Sequence, residues 1–118
     1  MGLIVQHRPN RTAIPDALPP RALVTGGACR IGRTLVLTLV ELGFAVAVHC
    51  RRAVDEAEAL AAEIDAGGGR AEVVAADLAD AAATAALVDE AAAALGGPLG
   101  VLVNNAATFE PDRLADFA

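Results

Sequence analysis

The chain has 118 residues, a length that holds one compact domain and not two. Hydrophobic residues make up 55% of it and aromatic residues 3%, so its core has to be built from Ala, Val, Leu and Ile, and its apolar runs are too short to span a membrane. A net charge of −6 argues against nucleic acid or an anionic membrane as a partner.

Residues 1–20 carry four prolines and read as an extended, flexible arm. Their apolar stretch is too short for a signal peptide, and position six lacks the Ser or Thr of a myristoylation signal. Residues 21–25 ("RALVT") form a short apolar run ending in glycine, the pattern of a buried strand. A helix is expected over 30–42, with Ile31, Leu35, Leu39 and Leu42 inward and Gly43 as its stop. Residues 44–50 ("FAVAVHC") give a second strand. Residues 53–66 give a second helix with Val54, Leu60, Ala61 and Ile64 inward, ended by the glycines at 67–69.

Residues 71–77 read as a third strand. The alanine-rich stretch 80–95 reads as a third helix capped by Asp80, and "GGP" at 96–98 closes it. A fourth strand is expected over 99–105, and "PDRLADFA" starts another helix with Asp112 as its cap. Strands alternating with helices of this length imply an α/β fold with a parallel sheet and right-handed crossovers. The expected architecture is a four-stranded Rossmann-type sheet in the order 3-2-1-4, incomplete on its C-terminal side. Residues 21–118 would be the N-terminal part of a dinucleotide-binding domain. Cys29 and Cys50 have no metal-ligand spacing, which suggests reduced thiols in a cytoplasmic protein.

The segment "VTGGACRIGR" (24–33) lies between the first strand and the first helix. In a parallel sheet this is the ligand-binding edge. Gly26 permits a tight turn, and Gly32 lets the helix pack close to the sheet or to a bound phosphate. The N–H groups and dipole at the helix start suit a pyrophosphate. A glycine-rich connection without a ligand accounts for the same spacing.

The segment "TGGACRIG" resembles the T-G-x-x-x-G-x-G turn of the short-chain dehydrogenase/reductases, with Arg30 where that pattern has its middle glycine. The arginine form is similar to the pteridine-reductase branch. "HCRRA", "ADL" and "LVNNAATF" follow in the same order and spacing, so the resemblance covers residues 21–118. It implies cofactor contacts from Thr25, Gly26, Arg30, Ile31 and Gly32. In the branch, the turn arginine lies near cofactor phosphates and substrate. A guanidinium at a helix N-terminus is repelled by the dipole unless an anion is present, so Arg30 either meets such an anion or points to solvent.

The end of the second strand decides between dinucleotides: an acid accepts the ribose 2′-hydroxyl of NAD, and an arginine accommodates the 2′-phosphate of NADP. Here stand His49, Cys50, Arg51 and Arg52, with no acid before Asp55, which favours NADP(H). Arg52 matches the family's phosphate-binding arginine, and Ala53 replaces the serine that often follows it. His49 is either a further phosphate contact or a packed strand residue. Asp77 and Leu78 resemble the family's adenine-binding pair, although Asp77 would equally cap the following turn. Asn104, Asn105 and Ala106 resemble the "NNA" segment, whose first Asn ties strands together and whose backbone passes the cofactor ribose. Phe109 matches an aromatic residue that stacks on pterin, while Ala107 stands where the branch often has Ser.

The family transfers a hydride between the nicotinamide C4 and a carbonyl or imine, with a tyrosine as general acid and a nearby lysine. This sequence contains no Tyr, no Lys and no Ser, and no catalytic residue is assigned in it. It reads as the cofactor half of an NADPH-dependent oxidoreductase with a small-molecule substrate, belonging to a homo-oligomeric parent. A stand-alone nucleotide-binding module or non-catalytic remnant is the alternative. An epimerase or methyltransferase of similar topology accounts for the glycine turn but not for "NNAATF" and the arginine pair together.

Overall fold

The computed structural model describes residues 18–106. Residues 1–17, Ala107, Phe109 and the helix start expected at Asp112 lie outside the described residues. In chain order the elements are β1 (Arg21–Val24), α1 (Arg30–Glu41), β2 (Ala45–Cys50), α2 (Val54–Ala66), β3 (Ala71–Ala75), α3 (Ala81–Leu95) and β4 (Val101–Val103). The four strands form one sheet in the order β3-β2-β1-β4, every pair parallel, with Arg21 opposite Ala45, Val46 opposite Ala71 and Ala22 opposite Val101. The expected 3-2-1-4 order is therefore the observed one.

The strands are apolar almost without interruption because both faces are covered. On one face Val24, Val46 and Val48 pack with Val36 of α1 and with Leu60, Ala61 and Ile64 of α2. On the other, Leu23, Ala47 and Val74 pack with Leu87, Ala91 and Leu95 of α3. The alternation follows from the two-residue period of a strand. Helices α1 and α2 thus lie on one side and α3 on the other, and the chain changes side between β1 and β4.

The turn chemistry places the helix ends. Asp80 accepts from the N–H groups of Ala82 (2.9 Å) and Ala83 (3.2 Å), the expected cap of α3. Gly96 ends that helix with φ +87°, the left-handed conformation glycine adopts without penalty. Two arginines from strand starts complete the stop: Arg70 reaches the carbonyls of Leu95 (3.1 Å) and Ala94 (2.9 Å), and Arg21 reaches Leu95 at 3.3 Å. Cations there oppose the negative end of the helix dipole.

Two sequence expectations need correction. Ile31 is 70% exposed rather than inward, and Gly32 and Val36 form the buried side of α1. The first turn of α1 rises off the carboxyl edge of the sheet, so its helical spacing says nothing about burial there. Residues 18–20 are also docked rather than part of a loose arm: Leu18 packs on the core and the Pro20 carbonyl accepts from Ala45 N–H at 2.9 Å. Among the described residues, no helix is long and apolar enough to cross a membrane.

Candidate functional site

The chain leaves β1 at Thr25 and enters α1 at Arg30, over the carboxyl edge where β1 and β4 lie side by side. Thr25 is buried, and its hydroxyl oxygen accepts from Asn105 N–H (2.8 Å) and Ala106 N–H (2.9 Å) while lying 3.2 Å from Asn104 Oδ1. Its backbone N–H donates to the Val103 carbonyl at 3.0 Å. Thr25 is thus the splice between the glycine turn and the end of β4. Both asparagines tie the end of β4 to the start of the glycine turn: Asn104 Oδ1 accepts from the Thr25 hydroxyl at 3.2 Å, and Asn105 Nδ2 donates to the Gly26 carbonyl at 3.2 Å.

The glycines mark close approaches within the protein. Gly26 has φ +63°, and a Cβ added to it would lie 3.0 Å from Ala106 Cα and 3.1 Å from Ala106 Cβ. A Cβ on Gly32 would run into the Gly26 carbonyl oxygen and stand 2.8 Å from Asn105 Nδ2. Gly32 therefore brings the first turn of α1 against the glycine turn itself.

The donors of this segment divide into two sets. Gly26 N–H donates to His49 Nδ1 and Gly27 N–H to the His49 carbonyl, each at 2.9 Å. Among the described residues, the N–H groups of residues 28–32 have no acceptor. Five unpaired N–H groups thus lie at the start of a 12-residue helix, chemistry that suits an anion. Ala28 and Cys29, which line the neighbouring cavity and have unpaired backbone N–H groups, were not among the sequence-based candidates, because nothing in a side-chain pattern reports a free backbone donor. Arg30 is exposed and has φ +57°, the only left-handed non-glycine residue among those described. A glycine at that place in the family pattern matches this backbone. An arginine there costs about 1–2 kcal/mol of local strain. The exposed side chain of Ile31 stands beside it on the same edge.

At the end of β2, Arg51 and Arg52 are exposed and line a cavity of about 280 Å³ together with Gly26, Ala28, Cys29, His49, Cys50 and Ala53. Arg51 Nε lies 3.5 Å from Asp77 Oδ1, and Arg52 has no ion pair among the described residues. Asp77 Oδ1 also accepts from Ala79 N–H at 2.9 Å, so this carboxylate shapes the turn after β3 and holds Arg51. Leu78 is partly buried against the α3 side of the core. Ala53 precedes α2 without a side-chain cap. Cys50 is buried, and desolvation, with Glu58 and Glu56 adding repulsion, pushes its thiol up from the usual range. Cys29 is exposed.

His49 is 2% exposed, and both ring nitrogens are engaged: Nδ1 accepts from Gly26 N–H, and Nε2 lies 2.9 Å from the Ala76 carbonyl. No ring nitrogen is left for a phosphate, which removes His49 from the expected cofactor contacts and makes it a packed strand residue. A larger cavity of about 450 Å³ opens at the opposite edge of the sheet, but its Arg21 and Arg70 serve the end of α3.

A parallel sheet whose strand order reverses at a glycine-bearing turn of unpaired N–H groups defines a doubly wound α/β fold of the Rossmann type, with its crevice between β1 and β4. The family model for short chain dehydrogenases matches residues 20–118, and the chain belongs to that family. It is 42% identical over 85 residues to the 3-oxoacyl-[acyl-carrier-protein] reductase FabG of Staphylococcus aureus, covering 72% of this chain and 34% of that one. Among solved structures it resembles FolM alternative dihydrofolate reductase 1 from Brucella canis, complexed with NADP, at 48% identity and a TM-score of 0.71, covering 76% of this chain and 35% of that one. A short chain dehydrogenase from Burkholderia cenocepacia in complex with NADP matches at 41% identity and a TM-score of 0.71, over 80% of this chain and 39% of that one. The chain thus spans about a third of the length of these relatives.

Proposed function

We propose that this chain is the NADP(H)-binding half of a short-chain oxidoreductase that transfers a hydride to a carbonyl or imine. The observation that carries this reading is the cavity in which Arg51 and Arg52 meet the glycine turn, with no acid at the end of β2. The residues present suit such a cofactor. The unpaired N–H groups of residues 28–32 match a diphosphate, and Arg30 adds a cation beside them. Arg52, with Arg51 behind it, matches a ribose 2′-phosphate. Asp77 and Leu78 would flank the adenine, and the backbone of Asn104, Asn105 and Ala106 would pass the ribose. The cofactor, when bound, supplies the hydride.

The 118 residues contain no Tyr, Lys or Ser, so the role assigned to this chain is capture of the cofactor. The whole protein would act in the cytoplasm as a homo-oligomer. A pterin-like substrate is the finer reading, supported by Arg30 and by the 48% identity to the FolM structure. Phe109, proposed to stack on that substrate, lies outside the described residues. A stand-alone nucleotide-binding module would share the same cofactor site.

Fluorescence titration with NADPH and NADH tests the assignment. Arg52→Asp should weaken NADPH by about 2 kcal/mol or more, the low end for losing one partner of a phosphate–arginine pair, and leave NADH nearly unchanged. Equal weakening of both cofactors would refute the 2′-phosphate role.

A further inference from the structure

We propose that His49 is the positioning residue of the glycine turn: its neutral, Nε2-protonated ring ties Gly26 to the end of β3 and thereby aims the unpaired N–H groups of residues 28–32 at the cofactor's diphosphate. The inference rests on the NADP(H) reading given above.

The ring is fixed by what its two neighbours require. Gly26 offers an N–H at 2.9 Å, so Nδ1 must carry a lone pair, and Ala76 offers a carbonyl at 2.9 Å, so Nε2 must carry the proton. Only one tautomer of the neutral ring satisfies both. The ring is buried, so solvent does not replace either partner if the ring is lost. Gly26 is then held from three directions: by His49 at its N–H, by Asn105 at its carbonyl, and by Ala106 against its Cα. The backbone of His49 adds a fourth tie through Gly27 N–H. Replacing the imidazole removes the side-chain tie and leaves the backbone one. The turn would lose its aim while β2 keeps its place in the sheet.

The diphosphate is common to NADPH and NADH, whereas Arg51 and Arg52 address the phosphate that only NADPH carries. A positioning residue of the turn must therefore act on both cofactors alike. This separates it from the arginines.

The test combines NMR with cofactor titration on the full chain. Long-range ¹H–¹⁵N correlation should show His49 in the Nε2–H tautomer at neutral pH; the Nδ1–H tautomer or an imidazolium overturns the proposal. His49→Phe should weaken NADPH and NADH in parallel, by about tenfold, the effect of leaving one buried N–H without its acceptor. His49→Asn should recover most of that loss, because Oδ1 then lies where Nδ1 lay and accepts from Gly26. A merely structural histidine would instead lower the melting temperature in both variants and leave the affinity of the folded protein unchanged. Unchanged affinity in His49→Phe, beside a binding wild type, overturns this inference alone. A wild type that binds neither cofactor overturns the functional reading and this inference with it. Should His49→Phe fail to fold, His49→Gln replaces it: its amide reaches Ala76 and not Gly26. Weaker binding than His49→Asn supports the proposal, and equal binding overturns it.

Discussion

Gly32→Ala sets two known effects against each other. Alanine is favoured over glycine inside a helix by about 1 kcal/mol, so on propensity alone the change should stabilise α1. The structure reverses the sign. The added methyl meets the Gly26 carbonyl oxygen and stands 2.8 Å from Asn105 Nδ2. The obstacle is backbone, and the hydrogen bond from Asn105 holds that carbonyl in place. The helix start must therefore move away from the turn. Forcing a methyl into packed surroundings costs about 1–3 kcal/mol, and an immobile obstacle puts this case at the upper end, for a net loss of about 2 kcal/mol after propensity is subtracted. In a domain of this size that lowers the melting temperature by about 10 °C. Displacing the helix start also misaligns the N–H groups of residues 28–32, so cofactor affinity should fall with stability. Thermal melts and NADPH titration measure the two together. A Gly32→Ala protein that melts at or above the wild-type temperature with unchanged affinity would refute the close approach.

Iodoacetamide should modify Cys29 and spare Cys50, because Cys50 is buried and its raised pKa keeps it a thiol, while Cys29 is exposed; mass spectrometry of the native protein reads the site, and labelling of Cys50 first would contradict the packing of β2. Leu102 is 56% exposed on β4, a strand whose outer edge has no partner among the described residues, so the isolated chain should self-associate in size-exclusion chromatography and Leu102→Lys should shift it toward monomer. A wild-type chain that stays monomeric at high concentration would count against this. Purified 118-residue protein should leave NADPH oxidation at background with carbonyl or pterin substrates, since it has no Tyr, Lys or Ser; robust turnover would point to a different acid.

The sheet was legible because each strand is a short apolar run closed by a turn residue, and because residue pairs such as Asp80 and Gly96 carry their helix ends in their own chemistry. The periodicity of 30–42 was misleading at Ile31, since the first turn of α1 packs against the glycine turn through Gly32 and leaves Ile31 off the sheet. The place of Arg51 and Arg52 beside the glycine turn was legible because a pair of charges at a strand end lies at the carboxyl edge of the sheet. Asp77 was readable only as far as two alternatives, and its bond to Ala79 N–H realises the local one. The roles of Thr25, His49 and Asn105 were hidden for a physical reason. Each acts on backbone atoms at least 23 positions away, and only the parallel pairing of β1 with β2 and β4 brings those atoms within reach.

The division of donors around the turn explains why an arginine can occupy a position whose backbone favours glycine. Gly26 and Gly27 turn their N–H groups inward to His49, so the protein itself anchors the start of the turn. The chain then enters α1 with the N–H groups of residues 28–32 unpaired among the described residues, and the left-handed φ of +57° at Arg30 lies within that stretch. Glycine there would relax the strain of about 1–2 kcal/mol but would carry no charge. Arginine keeps the strain and adds a cation beside the positive end of α1, a second unfavourable contribution. Both contributions are local and both lie on the edge facing the crevice. An anion seated on the unpaired N–H groups would remove the electrostatic one. Strain alone would be a defect; beside a cavity lined by Arg51 and Arg52, the strain that remains is offset if the cation it positions meets a phosphate-bearing ligand.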